Sequence, residues 1–340
     1  MMRLFAGLAF LFISSAASSF AQENTAPVEV PALPEGDTGI ASQYANDVDI
    51  GKDPKVVFTD DYESGKTNFD NNWGGVTFTQ DAENVHSAKR AMELKLVRPS
   101  EKKEAGLGVN HHFKDGYDTL FMRYYAKFSK DTELFHGGTH AGGSIMARGP
   151  GVPDAKPGIP ADGKNEYTVL LDTWRPDDKV ASPGNLVCYV YHPEQRHQWG
   201  EQFFPTGHLL PYTEKKPDAF FGKEFKARPD IVPPRDKWVC YELMVKANTP
   251  GKRDGRIAFW VDGKLAADFP NLRLRDIDSL KANRLGLGLY TQNDDVKKTC
   301  VMWFDDVVVA TSYIGPQVKE KKPLPAQTPN AAPGGTAPKK

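Results

Sequence analysis

The stretch DGRIAFWVDGK, residues 254–264, decides the fold class. Its side chains alternate, so Phe259 and Val261 face one way while Ala258 and Trp260 face the other. Asp262-Gly263 suits a two-residue hairpin turn that needs positive φ. Working outward, β-rich runs are predicted at 55–59, 91–97, 119–128, 167–174, 186–191, 238–247, 256–261, 284–290 and 301–310. Turn clusters such as Thr249-Pro250-Gly251 and Gln292-Asn293-Asp294-Asp295 separate them. Few windows carry a helical period, and only 276–282 reads as a short helical turn. Two antiparallel sheets packed face to face follow from this pattern, an all-β chain.

Composition narrows the function classes. The 340 residues carry 43 Lys and Arg against 44 Asp and Glu, a formal charge of −1, which argues against bulk electrostatic binding to nucleic acid. Three cysteines in so long a chain exclude a disulfide scaffold. With 39% hydrophobic and 11% aromatic residues the chain can build a core. Thirty Gly and 26 Pro favour a loop-rich β protein.

Residues 1–21 read as a cleaved export signal. Met1-Met2-Arg3 is basic, residues 4–13 are apolar, and Ser19-Phe20-Ala21 offers small residues at a cleavage site. The apolar run would span only about 15 Å as a helix, roughly half a bilayer core. The expected location is periplasmic or extracellular, with no membrane-spanning segment in the mature form. Residues 22–54 form a flank rich in Pro and Glu, and 317–340 a tail rich in Lys, Pro and Ala; both are expected to lie outside a single domain at 55–316. The chain is expected to be a monomer.

Residues 238–263, WVCYELMVKANTPGKRDGRIAFWVDG, resemble a segment of the polysaccharide lyase family 14 group and related concanavalin-like jelly rolls. A Trp, a Glu four residues on, an Asn-Thr-Pro-Gly turn and a Trp-Val-Asp-Gly hairpin recur there. Residues 303–309 with Tyr313-Ile314-Gly315-Pro316, and 58–63 with 86–91, also resemble that group. The resemblance covers most of 56–316. It implies a β-jelly roll whose concave sheet holds a sugar chain, with alginate-type or other uronate polymers as substrate, and no cofactor required for the reaction.

β-Elimination on a uronate needs a group that neutralises the carboxylate, a base for the C5 proton and an acid for the leaving oxygen. Tyr189-Val190-Tyr191 fits the proton-transfer roles, because residues two apart on a strand share a face. The family uses such a Tyr-x-Tyr pair. Trp174-Arg175 resembles the family's Trp-Arg: Arg175 is the candidate carboxylate clamp and Trp174 a sugar-stacking residue. His136, His192 and Gln292 complete the expected sugar contacts. Two departures stand out. In residues 135–143, FHGGTHAGG, Thr139 occupies the place of the family's catalytic Lys, and Val169-Leu170-Leu171 the place of its Ser-x-Arg. His136 and His140, on what reads as a Gly-rich loop, are the candidates to take over proton transfer.

Other sites are less marked. His111-His112 with His136 and His140 lack a recognised metal-ligand spacing. Related β-sandwiches often hold a Ca²⁺ between first and last strands, and Glu63 with Asp305 or Asp306 match those places; the competing reading is an acidic strand end in water. After export, Cys188, Cys240 and Cys300 allow one disulfide in any of three pairings, or buried free thiols. Residues 192–236 are expected to be a loop excursion pinned by Phe203-Phe204, Tyr212 and Phe220-Phe221. Two functions stay open: a lyase on an acidic polysaccharide, with Tyr189, Tyr191, Arg175 and His140 as its working set, and a non-catalytic carbohydrate-binding jelly roll of the cell envelope.

Overall fold

The computed structural model describes residues 31–97, 105–133, 139–153, 157–210, 220–291 and 300–321. Among the described residues sixteen strands form two antiparallel sheets. The first contains β1 (Val56–Asp60), β3 (Thr77–Thr79), β4 (Ala91–Leu96), β6 (Thr119–Phe128), β12 (Val239–Lys246), β13 (Gly255–Val261), β14 (Lys264–Leu272) and β16 (Cys300–Ala310). Its order is β14-β13-β12-β6-β16-β4-β3, with β1 also paired to β16. The second contains β2 (Asn71–Trp73), β5 (Ala105–Tyr117), β7 (Thr139–Arg148), β8 (Glu166–Trp174), β9 (Asn185–Tyr191), β10 (Glu201–Phe203), β11 (Leu209–Leu210) and β15 (Ala282–Thr291). Its order is β11-β10-β9-β8-β7-β15-β5-β2. The architecture is a two-sheet antiparallel β-jelly roll.

Side-chain alternation builds the core between the sheets. Leu285, Leu287 and Leu289 of β15 point inward, as do Val169 and Leu171 of β8 and Cys188 and Val190 of β9. Met122, Tyr124, Leu243, Phe259 and Phe304 meet them from the first sheet. The hairpin at 254–264 is as its sequence requires: Phe259 lies in this core, Ala258 and Trp260 lie in a second cluster on the outer face, and Asp262 and Gly263 have φ of 48° and 74°. Tyr124 ties the sheets together, its hydroxyl accepting the Gly143 N–H at 3.0 Å.

Several expectations are corrected. Residues 105–117 form a long strand that the predicted β-rich runs do not include, and 139–148 form another, although the Gly-rich text around His140 reads as loop. Gly143 is required there because a Cβ would sit 2.5 Å from the Tyr124 ring. β14 carries Pro270 yet pairs along β13 at the sheet edge, where a missing N–H costs least. Residues 276–282 form no helix. Of the two readings for the cysteines, the structure has the buried thiols: no disulfide joins Cys188, Cys240 and Cys300. Residues 192–236 do not merely loop: β10 and β11 extend the second sheet beyond β9, while Phe203 and Phe221 are fully buried. Tyr212 lies outside the described residues.

The N-terminal flank is part of the fold. From Ala32 onward the chain is one unit. Ile40, Ala41 and Ile50 are buried with Trp260, Phe121 and Ile314 on the outer face of the first sheet. The Pro34 carbonyl accepts Trp260 Nε1–H at 2.9 Å, Gly36 N–H donates to Gly263, and Ile40 and Ala41 N–H donate to Tyr313 and Ile314. Gln317 and Val318 are held too, by Tyr125 and Asn46, so the C-terminal tail begins later than expected. Residues 1–30 and 322–340, and with them the expected export signal, lie outside the described residues.

Glu242 of β12 locks the other end of this seam. Its carboxylate oxygens accept the Ile314 and Gly315 N–H groups, each at 2.8 Å. Burial pushes the carboxyl up from 4.5 to about 7, against the pull of those two N–H groups and Arg123. The folded state thus keeps a proton that the unfolded chain releases, so this contribution is greatest below the unfolded value and is lost as pH rises through about 7. Thermal melts between pH 5 and 8.5 are expected to show falling stability with rising pH. Glu242→Gln should flatten that slope and cost about 1 kcal/mol, since an amide offers only one acceptor atom to two N–H groups.

Candidate active site on the outer face of the second sheet

The outer face of the second sheet carries the residues that alternation turns away from the core. On β8 these are Thr168, Leu170, Asp172 and Trp174; on β7, His140, Gly142 and Ser144; on β9, Tyr189 and Tyr191; on β15, Gly286, Gly288 and Tyr290. His140 stands near the start of β7 rather than in a loop. Its Nδ1 lies 2.6 Å from Asp172 Oδ2. Asp172 is buried, and its other oxygen accepts the Ala141 and Thr173 N–H groups at 2.8 and 2.7 Å. A carboxylate only accepts, so the proton of the shared bond sits on His140 Nδ1, which leaves Nε2 as the free nitrogen of the neutral ring. The His140 side chain is 31% exposed.

Two tyrosines bracket that imidazole. Its ring centroid is 4.9 Å from Tyr189, and 5.9 Å from Tyr290 in a stacked arrangement. Tyr189 and Tyr191 pack edge to face at 5.5 Å, and Tyr189 donates its hydroxyl proton to Tyr191 Oη at 3.3 Å. The Gly200 N–H donates to Tyr189 Oη at 3.0 Å. Burial raises the Tyr189 phenol well above its usual value, and the bond to Tyr191 adds to this. Two loops cover the pair. Ala161 packs on both rings, Gly200 lies so close that a Cβ would meet them at 2.9 Å, and Gln195 bonds to Ala161 and His192. Each tyrosine is left 8% exposed.

Tyr189, Tyr191 and His140 are therefore together, and Trp174 lies two residues beyond Asp172 on the same face. Trp174 Nε1–H is buried and, among the described residues, without a partner. Arg175 is elsewhere. Its Nε donates to the Val180 carbonyl at 2.6 Å, and its guanidinium faces Asp178 and Glu133, whose carbonyl accepts from Cys300 of the opposite sheet. The chain leaves strand geometry after Trp174, so Arg175 ties down the following turn. His192 is also misplaced by the sequence reading: it has the parity of Val190, is 1% exposed, and pairs with Glu201 at 2.9 Å among Phe203 and Phe220. His136 and Gln292 lie outside the described residues, as does the side chain of Thr139. Val169 and Leu171 face the core, so the outward positions of that strand are Thr168, Leu170 and Asp172.

Asp172 is the residue that sequence reasoning passed over. A signal was available: Asp is disfavoured within a strand, and one set among Val-Leu-Leu and Thr-Trp needs a partner once buried.

The calcium ligand set does not fit. Glu63 Oε1 is taken by the Lys89 and Arg90 N–H groups, Asp305 Oδ2 by those of His86 and Ser87, and Asp306 by the His86 ring and Ser87 hydroxyl. Among the described residues no three His, Cys, Asp or Glu side chains are arranged to hold a metal ion. His111 and His112 instead face Asp70.

No protein-family model and no curated protein sequence matches the chain. Solved structures do. The marine PL-14 alginate lyase from Aplysia kurodai aligns at 15% identity over 75% of this chain and 99% of its own, with a TM-score of 0.50. The alginate lyase vAL-1 from Chlorella virus aligns at 14% identity over 76% of this chain and 100% of its own, also at 0.50. At such identities the likeness is one of fold.

The tautomer assignment is directly measurable. ¹⁵N spectra of the neutral His140 imidazole should show the Nδ1–H form alone. Asp172→Ala should give a tautomer mixture and lower stability by about 1–3 kcal/mol, because the Ala141 and Thr173 N–H groups lose their acceptor. An unchanged tautomer in Asp172→Ala would refute the orienting role.

Proposed function

We propose that the protein is an exported polysaccharide-active enzyme that cleaves an acidic, uronate-containing polysaccharide by β-elimination. The observation that carries this reading is the His140–Asp172 pair set against Tyr189 on the outer face of the second sheet. Export rests on the leader at 1–21, and the substrate class on the likeness of fold to the two alginate lyases together with the motif resemblance.

In this reading His140 Nε2 takes the C5 proton. The C5 electron pair forms the C4=C5 double bond, the bond from C4 to the glycosidic oxygen breaks, and that oxygen takes a proton from Tyr191. The Tyr189 hydroxyl, which donates to Tyr191 Oη, stabilises the Tyr191 phenolate this leaves; the His140 imidazolium then gives its proton to solvent and Tyr191 takes one back, which restores both groups. Burial keeps the Tyr189 phenol protonated, so it remains a hydrogen-bond donor throughout. Asp172 holds the imidazole in its working tautomer and stabilises the imidazolium that forms. The unpartnered Trp174 Nε1–H is a donor for the uronate carboxylate. Entry of substrate requires the Gly200 and Ala161 loops to withdraw from the tyrosines.

A second reading, a non-catalytic carbohydrate-binding protein, is favoured by one feature. Among the described residues no guanidinium or ammonium hydrogen-bonds to His140, Asp172 or Tyr189, and the Tyr189 hydroxyl is capped by Gly200. Incubation with a panel of uronate polymers, followed by absorbance of unsaturated ends, separates the two. The lyase reading expects product from at least one polymer and a loss of about 10²–10⁴-fold in turnover for His140→Ala. Binding without product from any polymer would support the second reading. Arg175→Ala is expected to lower thermal stability while leaving oligosaccharide affinity unchanged.

A further inference from the structure

The same sheet face holds a feature that the reaction above does not use. Gly106 and Gly108 of β5 and Gly286 and Gly288 of β15 all point outward, in adjacent paired strands. Glycine weakens a strand interior, and a cluster of it marks a place where something approaches the backbone closely. Here the approaching groups are aromatic. A Cβ on Gly106 would lie 2.8 Å from Trp73 Cζ3 and 2.6 Å from Tyr290 Cδ2; on Gly108, 2.8 Å from Trp73 Cζ2; on Gly288, 3.2 Å from the same atom. Trp73, held in β2 opposite Gly108, therefore lies down on a strip without side chains and remains partly exposed. Beside it, Ser144 Oγ and Asn110 Oδ1 converge over Gly286, where a Cβ would meet them at 2.7 and 2.9 Å.

We propose that Trp73 is a stacking platform for a sugar ring of the polysaccharide, at a subsite remote from the bond that is cleaved. This inference rests on the proposed function. From β7, which carries His140, to β5, over whose Gly106 and Gly108 the indole lies, there are two strand spacings, about 10 Å. A chain laid across the strands from the His140–Tyr189 pair thus passes Tyr290 and reaches Trp73 beyond the sugars that flank the cleaved bond. The apolar C–H face of a pyranose packs on the indole, and Ser144 and Asn110 meet its hydroxyls. Glycine at four positions lowers the floor so that the ring sits at the level of the imidazole. Such a subsite makes binding depend on chain length, because only longer oligomers span both places.

The test is calorimetric binding of alginate and glucuronan disaccharides and hexasaccharides to the full chain carrying His140→Ala, which stops turnover. Adding Trp73→Ala is expected to weaken hexasaccharide binding about tenfold, with the disaccharide unchanged, while Trp73→Phe keeps most of the affinity. Should Trp73→Ala not fold, Trp73→Leu covers the glycines without an aromatic face and gives the same reading. Hexasaccharide affinity unmoved by loss of the indole, or both oligomers weakened equally, overturns the subsite and leaves the proposed function standing. Failure of both hexasaccharides to bind with Trp73 intact overturns the two together.

Discussion

A strand has a side-chain period of two, and in the second sheet both faces of that period are committed. β15 shows the constraint most plainly. Leu285, Leu287 and Leu289 fill the core, while Gly286, Gly288 and Tyr290 face outward. A slip of one residue would bury glycine against the first sheet and expose three leucines. The apolar contacts of the core therefore fix where the outward residues stand, and His140, Asp172 and Tyr189 inherit their relative positions from packing in which they take no part. His192 illustrates the same rule from the other side: one residue past Tyr191, it belongs to the core and has its ring nitrogen within hydrogen-bond distance of Glu201 there.

Asp172 converts this geometric placement into chemistry. Held by two N–H groups and closed off from solvent, it has one oxygen left to orient the imidazole. A buried carboxylate without such partners would cost several kcal/mol. With them, its remaining acceptor acts on His140 at little further expense, and the two strands that carry the pair are held together at their ends. Tyr189 is treated similarly, its oxygen occupied by Gly200 and its proton directed at Tyr191.

The fold was readable wherever β-rich alternation was uninterrupted. The run at 119–128 is β6 to the residue, and the 254–264 hairpin has the turn its Asp-Gly demands. Reading broke down where glycine served a purpose set by distant residues. Gly143 makes room for Tyr124, and Gly106 and Gly108 for Trp73, so the start of β7 looked like a loop and β5 was not among the predicted strands, although both lie within the sheet. Of the candidate site, the common face of Tyr189 and Tyr191 was legible because their spacing is local, whereas His140 was placed in a loop and lies on β7. Arg175 and His192 were misassigned because a difference of one position at a strand end reverses direction. Asp172 was missed because its partner is 32 residues away, a separation that no local pattern encodes.

The strap from Pro34 to Asp53 sets an order of events in folding. It is laid on the outer face of a sheet that must already exist: Gly36 bonds to Gly263, Trp260 reaches Pro34, and Ile40 and Ala41 bond to Tyr313 and Ile314. These partners lie more than two hundred residues downstream, so loop closure over most of the chain precedes any reward from contact. The part of the domain synthesised first is thus among the last to dock. Until it does, Trp260 and Phe121 stay uncovered, and the protein passes through a stage in which its sandwich is closed but one outer face is still apolar and open to misassociation.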